Sequence, residues 1–149
     1  MAHCQWAQGR FAQAEPGFTR ALAIYQKALG EDHPRTALAY NNLASCQQEQ
    51  GRHAQAEPGF AKALAIFRKA LGEDHPDTAL AYNNLAYCQQ AQGRYAQAEG
   101  LLTRAAEGFR RARLRVEAGL GRAAFTTKLS PLPGLAAVLA RNGKPDLAW

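Results

Sequence analysis

The apolar residues Phe60, Ala63, Leu64, Phe67 and Leu71 recur at steps of three and four, the stripe of a helix that buries one face. Ahead of them, Thr36-Ala-Leu-Ala-Tyr-Asn-Asn-Leu-Ala-Ser-Cys-Gln-Gln-Glu-Gln50 is rich in helix formers. Gly51 follows it, a residue type that ends helices. Gly72 closes the second stripe, and Pro76-Asp77-Thr78 supplies residue types that open a helix. The pattern therefore predicts hairpins of two helices. Pro16-Gly17 and Pro58-Gly59 fall inside the second helix of their hairpins. Proline there removes one hydrogen bond and glycine weakens propensity, so a slight bend is expected rather than a break.

The hairpins repeat. Gly9-Arg10 returns as Gly51-Arg52 and Gly93-Arg94, a shift of 42 residues each time, and residues 1–50 match 43–92 at 38 positions. Ala12-Gln-Ala-Glu-Pro-Gly-Phe18 returns as Ala54-Gln-Ala-Glu-Pro-Gly-Phe60, then loosely as Ala96-Gln-Ala-Glu-Gly-Leu-Leu102. Gly30-Glu-Asp-His-Pro34 returns as Gly72-Glu-Asp-His-Pro76. A single hairpin cannot bury its own apolar face, so neighbours must stack, and about three units are needed for a stable array.

Helix pairs at this period, with Ala56-Glu-Pro-Gly-Phe60 and a Leu-Gly-Glu-Asp-His-Pro loop, resemble tetratricopeptide repeats. They are more similar still to the longer variety in kinesin light chains and many bacterial multi-repeat proteins. Leu43, Ala44, Gly51, Ala56, Phe60 and Ala63 fit the packing pattern of that family, as do Leu85, Ala86, Gly93 and Ala98. Gln47 and Gln89 depart from it, standing where an aromatic residue is common. The resemblance covers residues 1–112 and implies an all-α fold, a tetratricopeptide-type α-solenoid of stacked antiparallel hairpins. Met1 falls at the place of Leu43, so the first helix is expected to be entered midway.

After Phe109 the register changes. Residues 113–130 read as a basic linker or insert, and 131–149 as the start of a further degenerate hairpin, in which Leu135 and Gly143 match Leu85 and Gly93 at a shift of 50. The phrases Arg122-Ala-Ala-Phe125, Ser130-Pro-Leu-Pro133 and Leu139-Ala-Arg-Asn-Gly-Lys-Pro145, ending in Ala148-Trp149, are similar to the segment that joins such arrays to a CHAT domain in bacterial proteins. The resemblance implies a longer protein, with a caspase-like peptidase whose catalytic His and Cys would lie beyond Trp149.

Composition narrows the classes. No run approaches the ~20 apolar residues of a membrane span, and Met1-Ala-His-Cys-Gln-Trp6 lacks the layout of a signal peptide, so a cytoplasmic setting and no membrane partner are expected. The net charge of +6 is lopsided: residues 1–92 carry eight basic against eight acidic side chains, and 93–149 carry ten against four. Arg104, Arg110, Arg111, Arg113, Arg115 and Arg122 form the cluster, opposite an apolar face of Leu101, Leu102, Ala105, Phe109 and Ala112. Nucleic-acid binding would want aromatic readers among the basic groups, and none is interleaved. A solvated face, or a contact to an acidic patch on a C-terminal region beyond Trp149, fits better.

Chemistry is sparse. Cys4, Cys46 and Cys88 occupy one slot of successive repeats, at a helix-packing separation of about 10 Å, unsuited to a disulfide or a metal site and suited to small buried residues. His33 and His75 sit in the acidic loops, where helix capping outweighs metal binding. His53 aligns with Phe11 and Tyr95, and His3 with Ser45 and Tyr87, so both are read as structural. Gly119-x-Gly121-x-x-Ala124 has the spacing of a dinucleotide loop but no strand before it. No catalytic residues, metal or cofactor are expected.

Asn41-Asn42 and Asn83-Asn84 stand on the first helix of their hairpins. Side-chain amides donate and accept, and so can hold an extended backbone whatever its side chains. In the resembling family asparagine at this place contacts bound peptide. Ser45, Gln48, Tyr87 and Gln90 follow one or two turns on and extend the same groove. The expected function is a non-catalytic scaffold that holds a protein or extended peptide segment, as the regulatory region of a CHAT-type protein. A ligand-free spacer and a nucleic-acid-binding tail are the alternatives, and self-association through the chain ends is a further possibility.

Overall fold

A computed structural model describes residues 2–117. Among them six helices follow in order: α1 (Ala2–Ala7), α2 (Phe11–Leu29), α3 (Pro34–Glu49), α4 (His53–Leu71), α5 (Pro76–Ala91) and α6 (Tyr95–Glu117), with no strand among the described residues. The all-α architecture of helical hairpins is the one the periodicity predicts. Two compact units divide the described residues, one up to Ala70 and one from Leu71 on. Residues 113–117, set above at the head of a basic linker, belong to α6. The remainder of that linker, the hairpin expected at 131–149, the Gly119–Ala124 spacing and Arg122 lie outside the described residues.

Helix ends are fixed by local chemistry. Past α3, Gly51 takes φ +75°, a left-handed conformation that costs glycine little. The Gly51 amide then donates to the Gln48 carbonyl at 2.8 Å and the Arg52 amide to the Gln47 carbonyl at 3.0 Å. This pair of bonds satisfies carbonyls that the helix leaves open. Gly93 and Arg94 close α5 in the same way onto Gln90 and Gln89, each at 2.9 Å.

The helix starts repeat as faithfully. Pro34 opens α3 where its missing amide is no loss, and the His33 Nδ1 accepts from the Arg35 amide at 3.1 Å. His75 does the same for Asp77 at 3.2 Å ahead of α5. Both histidines thus cap helices, as their place in the loops predicts. Behind each cap a fully buried threonine ties loop to helix. Thr36 donates to the Gly30 carbonyl and Thr78 to the Gly72 carbonyl, each at 2.7 Å.

Pro16 and Pro58 interrupt neither α2 nor α4. The glycine after each proline has a tertiary purpose. A Cβ on Gly59 would stand 2.9 Å from the Cβ of Ala44, and one on Gly17 would stand 2.7 Å from that of Ala2. Only a bare backbone admits so close an approach of the two helices of a hairpin. The cost in helix propensity is offset by packing, which the local pattern does not contain.

In the first unit Ala14, Phe18 and Cys46 form a buried cluster, with Ala2, Phe11 and Leu43 packed against it. Phe60, Ala63, Leu64 and Phe67 are buried along α4. In the second unit Ala86, Ala98 and Leu102 form the cluster, flanked by Tyr95 and Leu101. Burying one large side chain such as Phe60 or Leu102 contributes roughly 1.5–3 kcal/mol. Cys46 and Cys88 are buried small residues as expected. Cys4 corrects that expectation: it is exposed, whereas Cys46 packs in a cluster with Ala14 and Phe18 of α2.

Candidate functional site

The amide-bearing residues fall into two groups of four. On α3 in the first unit, Asn41, Ser45 and Gln48 lie four and then three residues apart and share one face, with Asn42 a step around the helix. On α5 in the second unit, Asn83, Tyr87 and Gln90 share the equivalent face, with Asn84 beside it. The rotation of each helix is set by its buried side: Ala44 and Cys46 on α3, and Leu85, Ala86 and Cys88 on α5. All eight side chains are half-buried. The Oε1 atoms of Gln48 and Gln90 and the Oδ1 of Asn83 are shielded from water and accept no hydrogen bond. A polar atom in that state costs free energy until a donor reaches it.

A second set of functional side chains is not evident in the motifs: the clamps on the acidic loops. Glu31 sits in the Gly-Glu-Asp-His-Pro loop before α3. The Tyr40 hydroxyl donates to it at 3.1 Å, Gln26 Nε2 donates at 2.8 Å, and the Lys62 ammonium lies 3.2 Å away. Lys62 also stands over the Tyr40 ring, 4.8 Å from its centroid. Desolvation pushes the Glu31 carboxyl up, but the Lys62, Tyr40 and Gln26 donors outweigh it and hold the carboxyl below the ordinary glutamate value. Asp32 pairs with Lys69, two helical turns beyond Lys62.

The second unit repeats the device with arginine in place of lysine. The Tyr82 hydroxyl donates to Glu73 at 2.9 Å, Arg104 lies 5.9 Å from the Tyr82 ring centroid, and Arg111 donates to Asp74 at 2.9 Å. Tyr82 raises the Arg104 pKa by hydrogen bonding, as Asp74 does for Arg111. Two members of the arginine cluster therefore serve the chain's own loop, and the acidic residues beside His33 and His75 are engaged by cations. The signal was present in the sequence as basic residues seven apart at 62 and 69 and at 104 and 111. Their partners lie up to 37 residues away, which spacing alone does not disclose.

Gln47, which departs from the aromatic pattern, joins a polar network instead. Glu15 on α2 accepts from Gln47 at 3.4 Å, from Gln50 at 3.2 Å, and pairs with Arg52. Desolvation raises the Glu15 pKa, and the donors from Gln50, Arg52 and Gln47 more than reverse it, leaving a lowered value. Close by, the Cys46 thiol donates to the Phe11 carbonyl at 3.1 Å, and burial pushes its pKa up, away from thiolate chemistry. His53 is half-buried at the first turn of α4.

Among the described residues no group of three His, Cys, Asp or Glu side chains is placed to hold a metal ion. Among the same residues no helix is long and apolar enough to cross a membrane.

Stacked hairpins closed by left-handed glycines, with small residues at the helix contacts, define a helical repeat protein. The sequence pattern of the tetratricopeptide repeat family matches residues 1–60 and 38–111. The chain belongs to that family, a group of generally non-catalytic scaffolds for protein–protein interaction.

Solved structures agree on the fold. The chain is similar to the candidate kinesin light chain of Podosopora anserina with nearly identical TPR-like repeats, at 24% identity and a TM-score of 0.78. A single-substitution form of that protein gives 23% and 0.78. BtubC (BKLC) from P. vanneervenii is similar at 25% identity and a TM-score of 0.80. Each match covers 99% of this chain. The chain spans 66% of the length of the first two proteins and 56% of the third. No curated protein matches it.

Proposed function

We propose that the chain is a peptide-binding scaffold in which the amide-bearing face of α3, and likewise that of α5, holds extended backbone of a partner protein. The observation that carries this reading is the alignment of Asn41, Ser45 and Gln48 on one face of α3 and of Asn83, Tyr87 and Gln90 on the equivalent face of α5. Side-chain amides donate and accept, and so can hold main chain rather than a particular side chain. Asn41, Asn42 and Ser45 accompany Gln48 on α3, and Asn84 and Tyr87 accompany Asn83 and Gln90 on α5.

In this reading the chain works as the regulatory, partner-sensing region of a longer, cytoplasmic CHAT-type protein of bacterial kind. The support is the run from Arg122 to Trp149, whose phrases are similar to the segment before a CHAT domain. A caspase-like His and Cys encoded downstream of Trp149 is the expected finding, and an unrelated downstream domain would overturn that context.

The binding role is tested with peptides selected from a displayed random library on the full chain. Asn83→Ala with Gln90→Ala is expected to weaken selected peptides by roughly tenfold, about 1.4 kcal/mol, read by calorimetry. Affinities indifferent to that pair, and to Gln48→Ala, would remove the amides from the proposed site.

A further inference from the structure

The first helices of the α3–α4 and α5–α6 hairpins are near copies. α3 and α5 have 16 residues each and differ at three places: Arg35 against Asp77, Ser45 against Tyr87, and Glu49 against Ala91. The three are not scattered. Arg35, Asn42 and Glu49 follow one another at steps of seven residues, close to two helical turns each, and so fall in one row. Ser45 lies between the last two and joins that row to the stripe of Asn41 and Gln48. Its slot carries a third residue type, His3, in α1, although alanine precedes and cysteine follows it every time. Arg35 and Glu49 are exposed, as are Asp77 and Ala91. Access to solvent alone does not select these places. Leu38, Asn41, Gln47 and Gln48 are exposed or half-buried too, and they recur unchanged in α5.

The charges of α3 also run against its own dipole. A helix favours acidic side chains in its first turn and basic ones in its last. α3 has Arg35 in the first turn and Glu49 in the last, whereas α5 has Asp77 in the first. The remaining thirteen residues are shared, so a helix of this kind forms without Arg35 and Glu49. Both cost α3 stability, and both flank Asn42 and Ser45 of the peptide-binding face.

We propose that the α3 face selects an extended segment of its partner by charge at both ends, with an acidic side chain against Arg35, a basic one against Glu49, and main chain over Asn42 and Ser45. This rests on the peptide-binding role proposed above and adds the sequence character of the bound segment. The rise from Arg35 to Glu49 is about 21 Å, which extended chain covers in about six residues. The α5 face makes a different demand: a basic side chain near Asp77 and an apolar one against Tyr87. Charge fixes the direction of the segment on each face, and added salt weakens that preference.

The probe is the pool of peptides selected on the full chain from a displayed random library, sorted by the substitutions that release them. Peptides released by Asn42→Ala with Gln48→Ala belong to α3, and those released by Asn83→Ala with Gln90→Ala to α5. The α3 class should carry an acidic and a basic residue about six positions apart, in one order. The α5 class should lack that pair and carry a basic residue with an apolar one.

Arg35→Asp, Ser45→Tyr and Glu49→Ala together give α3 the sequence of α5. That chain should bind α3-class peptides roughly tenfold more weakly, read by calorimetry. Arg35→Asp with Glu49→Ala alone should produce most of the loss. The denaturation midpoint of either variant should hold or rise, because charges that oppose the dipole have been removed.

An α3 class without the paired charges would overturn the proposal, as would affinities that ignore the exchange. A midpoint that falls would assign Arg35 and Glu49 to the fold, and overturn it too. If neither pair of amide substitutions released any peptide, the scaffold reading itself would fail and take this proposal with it.

Discussion

The α3–α4 and α5–α6 hairpins share a scheme of bonds and differ in how their helices touch. In both, a histidine caps, a buried threonine ties the loop, a tyrosine donates to the loop glutamate, and a cation holds the aspartate. The close contact, however, moves. In the first it lies at Gly59, beside the middle of α3. In the second, Leu101 replaces that glycine and packs on the core, while the tight approach passes to Gly108, where α4 carries Ile66. Polar geometry at the loop is therefore the constant of the repeat, and the placing of the small residue is the variable.

Core truncation should break both hairpins most severely. Phe60→Ala and Leu102→Ala stand at equivalent buried places, and are expected to cost about 3–5 and about 2–5 kcal/mol in chemical denaturation. Exchanging the small residues comes next. Gly59→Leu and Gly108→Ile each install what the other hairpin carries, and overpacking should cost about 1–3 kcal/mol. Gly100→Ala faces open space and should instead stabilise by up to about 1 kcal/mol. If the two exchanges proved as harmless as Gly100→Ala, the contrast between the hairpins would carry no energy.

A smaller effect tests the shared scheme. His75→Ala removes a helix cap and should cost about 1 kcal/mol, as should His33→Ala, and a large disparity between them would show that the caps are not equivalent. Smallest is the response to acid. The Glu15 carboxyl has a lowered pKa in the folded chain, so its contribution is complete above the ordinary glutamate range, about 4.3. It is lost as pH falls through the lowered folded value. Glu15→Gln should therefore flatten part of the decline in denaturation midpoint between neutral and acid pH, and a decline of unaltered slope would remove Glu15 from it.

Much of this was legible in the chain. The stripes of α2 and α4, the closing glycines and the capping histidines are local signals, each decided within a few residues. The buried Cys46 and Cys88 could be inferred from a slot that takes small residues. The rest depended on partners far along the chain. Pro16-Gly17 and Pro58-Gly59 read as weak points until the facing Ala2 and Ala44 give each glycine its reason. Cys4 shares a slot with two buried cysteines, yet burial depends on what lies over it. The clamps by Lys62, Lys69, Arg104 and Arg111 were hidden among ordinary surface charges, because residue spacing on one helix does not reveal its acid. The amides were found by residue type, and only the structure showed which of their oxygens lack a donor.

The pairings Glu15–Arg52, Asp32–Lys69 and Asp74–Arg111 each bridge 37 residues, a little less than one period. A bond of that reach closes within a hairpin and its leading turn, as for Asp32–Lys69 and Asp74–Arg111, or links one hairpin to the next, as for Glu15–Arg52, and goes no further. Recombination that inserts or deletes 42 residues in register would restore every such pairing with new members, so the array can change length without any bond having to be reinvented.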